Sequence, residues 1–467
     1  MKRTFKISLL ASMMCIATVV HADNQTNTLS PIYPESLLPF TIIIEQMNFQ
    51  LPVGLHSGMI GIYKGLWIFI AGRTNGLHGF GADPFPVAAQ NTMIYVVNPA
   101  SGTIFSRSLH TSDLTQQQID SLSVTSPQGY QDNNTLYMTG GYGIDTLTGA
   151  FTTKPILTAF NLPGIVKWTM GDNSKQLSAY IQQIIHPMFQ ITGGEMLKLG
   201  NVSQLVFGQN QDGVYNPADS GIYSEQIRRF QISNVNGQLF ANFYPSLPTL
   251  PDPNYRRRDL NVMPAIFSVN NRLQYGMIAY AGVFTETTGV WTVPVVMDQN
   301  GTPSMANPLL STTFKQGMNQ YVSATAGLYS QRTKSMYNIF FGGISYGFYS
   351  GGTFQTDSEI PFINQVTTVK MDQNGNFTQY LMNSQYPVIL STSVNPGNQL
   401  LFGAGAYYIH ANIQRYANGV INIDNIRKPT VIGYIAGGIM STLPNTNTDA
   451  DSNGSPYVFK VTLVPRG

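Results

Sequence analysis

LWIFIAG, residues 66–72, is an apolar run that stops on glycine, and the chain uses the same device five more times. The other runs are TLYMTGG (135–141), QLVFG (204–208), GMIAYAG (276–282), YNIFFGG (337–343) and VIGYIAGG (431–438). Each run is short and rich in β-formers, the length and composition of a buried strand rather than a helix. Each is followed by a polar, Gly/Asn-rich stretch and then a second apolar strand, commonly closed by a tight turn. These turns read VNPASG (97–102), ISNVNG (232–237) and MDQNG twice (297–301 and 371–375). An all-strand unit recurring at intervals of roughly sixty to ninety-five residues predicts an all-β fold, a β-propeller.

The repeat can be written as four strands. In its first copy these fall near residues 56–63, 66–72, 92–97 and 103–109, with the turn at 98–102 supplying the positive φ angles that short hairpins need. The last copy runs out of chain after a third strand at 457–463, while an orphan strand, FTIIIEQMNFQL (40–51), precedes the first copy. The economical expectation is that this N-terminal strand completes the last blade and closes the ring, removing an exposed edge. Counting the glycine-closed runs gives six blades. LLFGAG (400–405) resembles a further second strand and keeps seven as the alternative count, or else marks an inserted hairpin. Residues 112–122 and 174–190 are predicted as helical insertions, the latter placing Leu177, Tyr180, Ile181, Ile184 and Ile185 on one face.

All 467 residues are thus assigned to a 1–22 leader, a 23–39 extension, a single propeller domain at 40–463 and a C-terminal tail. The leader has a basic start, an apolar stretch at 7–20 too short to span a bilayer, and a Val20-His21-Ala22 cleavage pattern. It predicts a secreted or periplasmic protein of a Gram-negative bacterium. The only cysteine, Cys15, lies within it, so the mature chain carries no thiol chemistry. The last residues, LVPRG, match most of a thrombin site and read either as an appended scar at 464–467 or as native sequence. Charged residues make up 10% of the chain and the net charge is +2, which provides no field for nucleic acid or anionic lipid. No membrane span is expected, and a monomer is.

The diglycines Gly140-Gly141, Gly342-Gly343 and Gly437-Gly438, with segments 54–79 and 130–143, resemble the kelch-type propellers of secreted bacterial proteins. The aromatic pair that follows the diglycine in kelch repeats is mostly missing here, with Phe160 and Trp168 as its nearest approximation. Fold can be carried by such a likeness; chemistry cannot. The leader, the neutral polar loops and the lack of a catalytic constellation in the sequence instead point to a secreted module that binds a glycan or a protein through its long-loop face. The alternative is a carbohydrate-active enzyme similar to the kelch-type sialic acid mutarotase, for which Arg73, His78 and an acid such as Glu286 would suffice.

The loops joining second to third strands are long, at 77–91, 145–154, 212–224, 344–362 and 441–455, so one face of the ring is elaborated. The richest polar cluster on it is Arg73-Thr74-Asn75-Gly76-Leu77-His78; with His56 it makes His56, Arg73, Asn75 and His78 the ligand-binding candidates. Arg offers a planar fork of donors and neutral His can donate or accept. The bland reading is that Arg73 meets a backbone carbonyl and Asn75-Gly76 makes the turn. Asp449, Asp451 and Asn453 alternate before Gly454 as in the first half of a calcium loop, the one cofactor expected, although the acid due six residues later is Lys460. The G-x-S-x-G match at 343–347 ends a strand and is read as coincidence. Arg256-Arg257-Arg258 abuts Asp259 and is expected to be a solvated basic turn.

Overall fold

The computed structural model describes residues 29–466 other than 80, 217–220, 236, 287–288, 447 and 449. The leader 1–22, Asp449 and Gly467 lie outside the described residues.

Two consecutive left-handed residues end each of the six glycine-closed runs. Their φ angles are 60 and 87° at Ala71-Gly72, 64 and 83° at Gly140-Gly141, and 56 and 80° at Phe207-Gly208. Ala281-Gly282, Gly342-Gly343 and Gly437-Gly438 follow suit at 54 and 99°, 61 and 92°, and 68 and 91°. The first position tolerates Ala or Phe because φ near 55° is the small left-handed region open to L-residues. The second is always glycine, for conformation and for space: a Cβ at Gly72 would lie 2.4 Å from the His56 carbonyl oxygen, and one at Gly208 2.7 Å from the Gly194 nitrogen. The pair turns the chain across the neighbouring inner strand. In five units the next residue then makes an isolated antiparallel bridge to the residue leading into the inner strand: His56 with Arg73, Thr125 with Tyr142, Thr192 with Gln209, Arg258 with Val283, and Tyr321 with Ile344; Arg73 and Val283 bridge Gln90 and Val290 as well.

Those five units are blades cut from consecutive chain, each a four-stranded antiparallel meander. The first runs from Met59–Tyr63 to Thr103–Ser108, the second from Gln128–Asp132 to Ile181–Ile185, the third from Glu195–Leu199 to Gln238–Leu247 and the fourth from Asn261–Val269 to Pro303–Met305. The fifth, Ala324–Ser330 to Phe377–Gln385, is widened to six strands by Ile32–Pro34 on its outer edge and Ile421–Asn422 on its inner edge, both parallel to their neighbours. The remaining large sheet is composite: Leu401–His410, Thr430–Ser441 and Val458–Pro465 are joined by Phe40–Gln46 from the other end of the chain. The expected six, or seven, equivalent blades are therefore corrected to five contiguous blades and one closing sheet drawn from both termini. The LLFGAG run is neither a second strand nor a hairpin insertion; it opens the closing sheet's inner strand and pairs with Thr430–Ser441.

The terminal pairing is sealed beyond the strands. Arg466 Nη2 meets Glu35 Oε1 at 2.7 Å, and Glu35, 2% exposed, also accepts from Thr41 and from the Asn383 amide. Leu463, Val464 and Pro465 of the tail pair with Ile42, Thr41 and Phe40.

Of the two predicted helices one forms. α1, Gln116–Leu122, carries a capping box between Thr115 and Gln118. Residues 174–190 form no α-helix: short 3-10 turns at Leu177–Tyr180 and Pro187–Phe189 flank Ile181–Ile185, which is the outer strand of the second blade, paired with Ile156–Asn161, because an exposed blade edge rewards an extended β-branched run more than its helical periodicity does. An unforeseen helix, α2 (Leu162–Thr169), capped by Asn161, occupies that blade's 3–4 connection. Its Trp168 is buried against the first blade, with the Arg107 guanidinium 4.2 Å from its ring. Hydrophobic clusters fill the seams between adjacent sheets, such as Ile68, Ile94, Leu136 and Phe160 between the first two blades. Each such buried side chain contributes roughly 1.5–3 kcal/mol, so the ring is held by its seams while its axis is left open to polar groups.

Candidate functional site

A collar of six left-handed residues surrounds the axis where the inner strands begin. Ser57, Ser126, Gly193, Asp259, Val322 and Gly405 have φ between 49 and 65°. Their backbones are chained: Ser126 N donates to Ser57 O (2.8 Å), Gly193 to Ser126 (3.3 Å), Asp259 to Gly193 (2.7 Å), Gly405 to Val322 (2.7 Å) and Ser57 to Gly405 (3.1 Å). A β-branched residue such as Val322 held left-handed is strained, and strain of this kind gathers at functional sites. All six line a cavity of about 820 Å³.

The walls above the collar come from the position just after each glycine pair: Arg73, Tyr142, Gln209, Val283, Ile344 and Ile439 all face the cavity. The long 2–3 loops add Leu77, His78, Phe85 and Tyr215. The repeat therefore places one wall residue per sheet at a position readable in the sequence.

His56, Arg73 and His78 all line this cavity. His56, 4% exposed, lies with Nε2 2.9 Å from Asn75 O and Nδ1 3.1 Å from Ser57 Oγ. That pattern assigns a neutral ring that donates from Nε2 and accepts at Nδ1. Burial, with Arg73 adding repulsion, lowers its pKa to about 3. His78 has Nδ1 3.2 Å from Gly79 O, packs against Tyr215 and Phe85 at 4.8 and 5.1 Å, and is lowered to about 4, chiefly by burial. Arg73, 2% exposed, donates Nε to Asn75 Oδ1 (3.1 Å) and Nη2 to Pro86 O (2.9 Å), with its guanidinium 5.1 Å from the Phe85 ring. Asn75 itself is a bracket behind the wall, holding both His56 and Arg73.

Asp259 and the second arginine of the cavity come from the basic turn, which is buried and not solvated; a second acid, Glu359, lines the cavity from the loop of the fifth blade. Arg258, 5% exposed, donates to the Tyr215 hydroxyl (2.8 Å) and approaches Asp259 Oδ2 at 3.6 Å. Burial opposes its charge, yet the Tyr215 and Tyr223 hydroxyls and Asp259 outweigh that and raise its pKa. The Asp259 side chain is 32% exposed, and the enclosing walls push its pKa up against the pull of Arg258. Arg257 is fully buried in the blade wall. An arginine run beside a proline-rich loop reads as surface because local sequence carries no sign of the seam that covers it.

The two loop clusters singled out in the sequence meet. Asn75 bridges Asn453, and Leu77 N donates to Ser452 Oγ at 2.8 Å. Asp451 Oδ1 accepts from Asn395 (3.2 Å) and Asn453 Oδ1 from the Gly454 amide. Asp449 lies outside the described residues, among which no group of three His, Cys, Asp or Glu side chains is placed to hold a metal ion. Glu286 is exposed and is not a lining residue, although its neighbour Phe284 is. Ser345 of the G-x-S-x-G match is fully buried and donates to Gly347 O (2.7 Å), with no histidine among its partners. Tyr142, Gln209, Tyr215 and Ile439 are not singled out in the sequence, nor is Gln211, 2% exposed, whose Oε1 has no hydrogen-bond partner among the described residues.

The lowered histidines give folding a pH dependence. Between their ordinary value of 6.5 and about 4 the unfolded chain binds protons that the folded cavity refuses, so stability falls on acidification by up to about 1.4 kcal/mol per pH unit for each. Glu195, raised to about 8 by burial, acts in the opposite sense between 4.5 and 8. Urea midpoints are expected to drop from pH 6.5 to 4.5 and to drop less steeply in His78→Gln; equal slopes would contradict the buried neutral imidazole.

No protein-family model matches the chain, and no curated protein matches it. Among solved structures it is similar to that of YjhT, at 11% identity and a TM-score of 0.45, over 89% of this chain and 98% of that one. What is established is an all-β propeller in which no helix of the described residues is long and apolar enough to cross a membrane.

Proposed function

We propose that this protein is a secreted glycan-binding module that seats a saccharide in the axial cavity. The observation that carries this is the cavity's make-up: a packed aromatic cluster of His78, Phe85, Tyr142 and Tyr215, together with Tyr321, lines it alongside the polar side chains of His56, Gln209 and Gln211. Sugar rings present apolar CH faces flanked by hydroxyls, and a lining that holds both π-faces and hydrogen-bonding groups suits them. A concave site of this size favours a small ligand over a flat protein partner.

Glycan-array binding, repeated with EDTA, tests the proposal. Retention of specific glycans, weakened ten-fold or more in Tyr215→Ala, is expected; a blank array from folded protein would end it. Loss of binding or of thermal stability in EDTA would support calcium at Asp449, Asp451 and Asn453, and indifference to EDTA would dismiss it.

The enzymatic alternative, of sugar mutarotase type, draws on one feature: two neutral imidazoles and the Asp259 carboxyl open onto the same cavity. Proton donation and acceptance at a sugar's ring oxygen and anomeric hydroxyl need no more than such a pair. Accelerated anomer exchange by NMR, abolished in Asp259→Asn, would favour catalysis; exchange at the buffer rate leaves binding alone.

A further inference from the structure

The cavity wall is divided, and the division specifies the ligand beyond the glycan reading on which it rests. At the position after each glycine pair, the first three blades supply Arg73, Tyr142 and Gln209, whereas the fourth, the fifth and the closing sheet supply Val283, Ile344 and Ile439. The facing inner-strand residues follow the same split at most places: His56, Thr125 and Thr192 on one side, Tyr321 and Ala404 on the other, with Arg258 opposite Val283 as the exception.

The apolar half is a cluster in its own right. Ile344, Phe362, Ala404 and Ile439 pack together, with Leu77 and Ile360 against them, and all six line the cavity. The other large clusters fill seams between sheets. This one borders the axial space: its four central side chains are 1–6% exposed and Leu77 and Ile360 are half-buried, so a ligand group lying on it gains in proportion to the limited apolar area it covers.

We propose that the bound saccharide carries an apolar substituent, an acyl methyl or a deoxy-sugar methyl, that lies on the Ile344–Ile439 wall while its hydroxyls face the first three blades. Ser358, Glu359, Asn445 and Thr446 line the loops of this half, but Val283, Ile344 and Ile439 themselves offer a hydroxyl no partner, so a hydroxyl pressed against those three is unfavourable. A sugar with one methyl-bearing edge satisfies both halves in one orientation, so the wall fixes pose as well as affinity.

The test is calorimetric titration with two matched pairs: L-fucose against L-galactose, which differ by one hydroxyl on the exocyclic carbon, and N-acetylglucosamine against glucose. At least one methyl-bearing sugar is expected to bind ten-fold or more tighter than its partner, the discrimination that one methylene-sized group earns in an apolar pocket. Ile439→Ser is expected to bring that ratio toward one, and Ile439→Val to keep it. Saturation-transfer NMR on the unaltered protein gives an independent reading, with the ligand's methyl protons the most strongly saturated. Equal affinities within both pairs would overturn the divided-wall inference and leave saccharide binding standing. No affinity for any of the four would overturn both.

Discussion

Gly208→Ala is expected to destabilise the protein by about 3–5 kcal/mol, a third or more of a typical domain's stability. Two separable effects act at this position. The left-handed backbone at φ 80° disfavours any L-side chain by roughly 1–2 kcal/mol. The added Cβ would also lie 2.7 Å from both the Gly194 nitrogen and the Ile191 Cγ2, so the inner strand of the third blade must move. Gly65, at the same φ of 80° but with nothing within 4 Å of an added methyl, isolates the first effect: Gly65→Ala should lose only about 1–2 kcal/mol. Ala281→Gly, at the permissive first position of a pair, should change stability by less than about 1 kcal/mol. Chemical denaturation of the three variants checks the order. Equal losses at positions 208 and 65 would mean that the glycine pair is conformational only and does not set the spacing between strands.

This also explains how far the sequence can be followed. The second glycine of each pair is doubly constrained, so it survives in all six runs and discloses a propeller, while the first position varies among Ala, Phe and Gly and blurs any repeat pattern. Strand identity is legible where one strand's chemistry dominates, and not where context decides. IQQII at 181–185 has a helical spacing but sits on a blade edge, and LLFGAG ends in glycines like a second strand although it opens the closing sheet. The blade count is not legible because the last sheet is assembled from both ends of the chain, so counting runs says nothing about which of them belong to one contiguous unit. At the site, Arg73, His56 and His78 stand out as a local polar cluster. Tyr142, Gln209 and Ile439 do not, although aligning the residue after each glycine names them. Arg258, Asp259 and Tyr215 carry no such mark, since they meet only through tertiary packing.

Arg257→Ala is expected to be at least as damaging as Gly208→Ala, about 4 kcal/mol or more, because the side chain serves as both a core residue and a polar clamp. Its guanidinium is fully buried 4.3 Å from the Trp291 ring, and Nη1 donates to the carbonyls of Ala281 and Val293 at 3.2 and 3.3 Å. No carboxylate pairs with it among the described residues, and burial accordingly lowers its pKa to about 9. Arg257→Met should recover part of the loss by filling the space while leaving the carbonyls unpaired. Arg257→Lys should be sensitive to pH. Burial depresses the folded-state pKa of the amine below its ordinary value of about 10.4, so through that window the unfolded chain holds the proton that the folded chain has released, and stability rises with pH. The consequence reaches the cavity, because the Arg257 carbonyl accepts from Gly208 N (3.0 Å) and the next two residues are Arg258 and Asp259. Loosening this anchor shifts the Arg258–Asp259 pair of the site without touching a lining side chain. Saccharide affinity in Arg257→Met is therefore expected to fall several-fold at temperatures where the variant is still folded, and unchanged affinity there would show that the collar holds Arg258 and Asp259 without it.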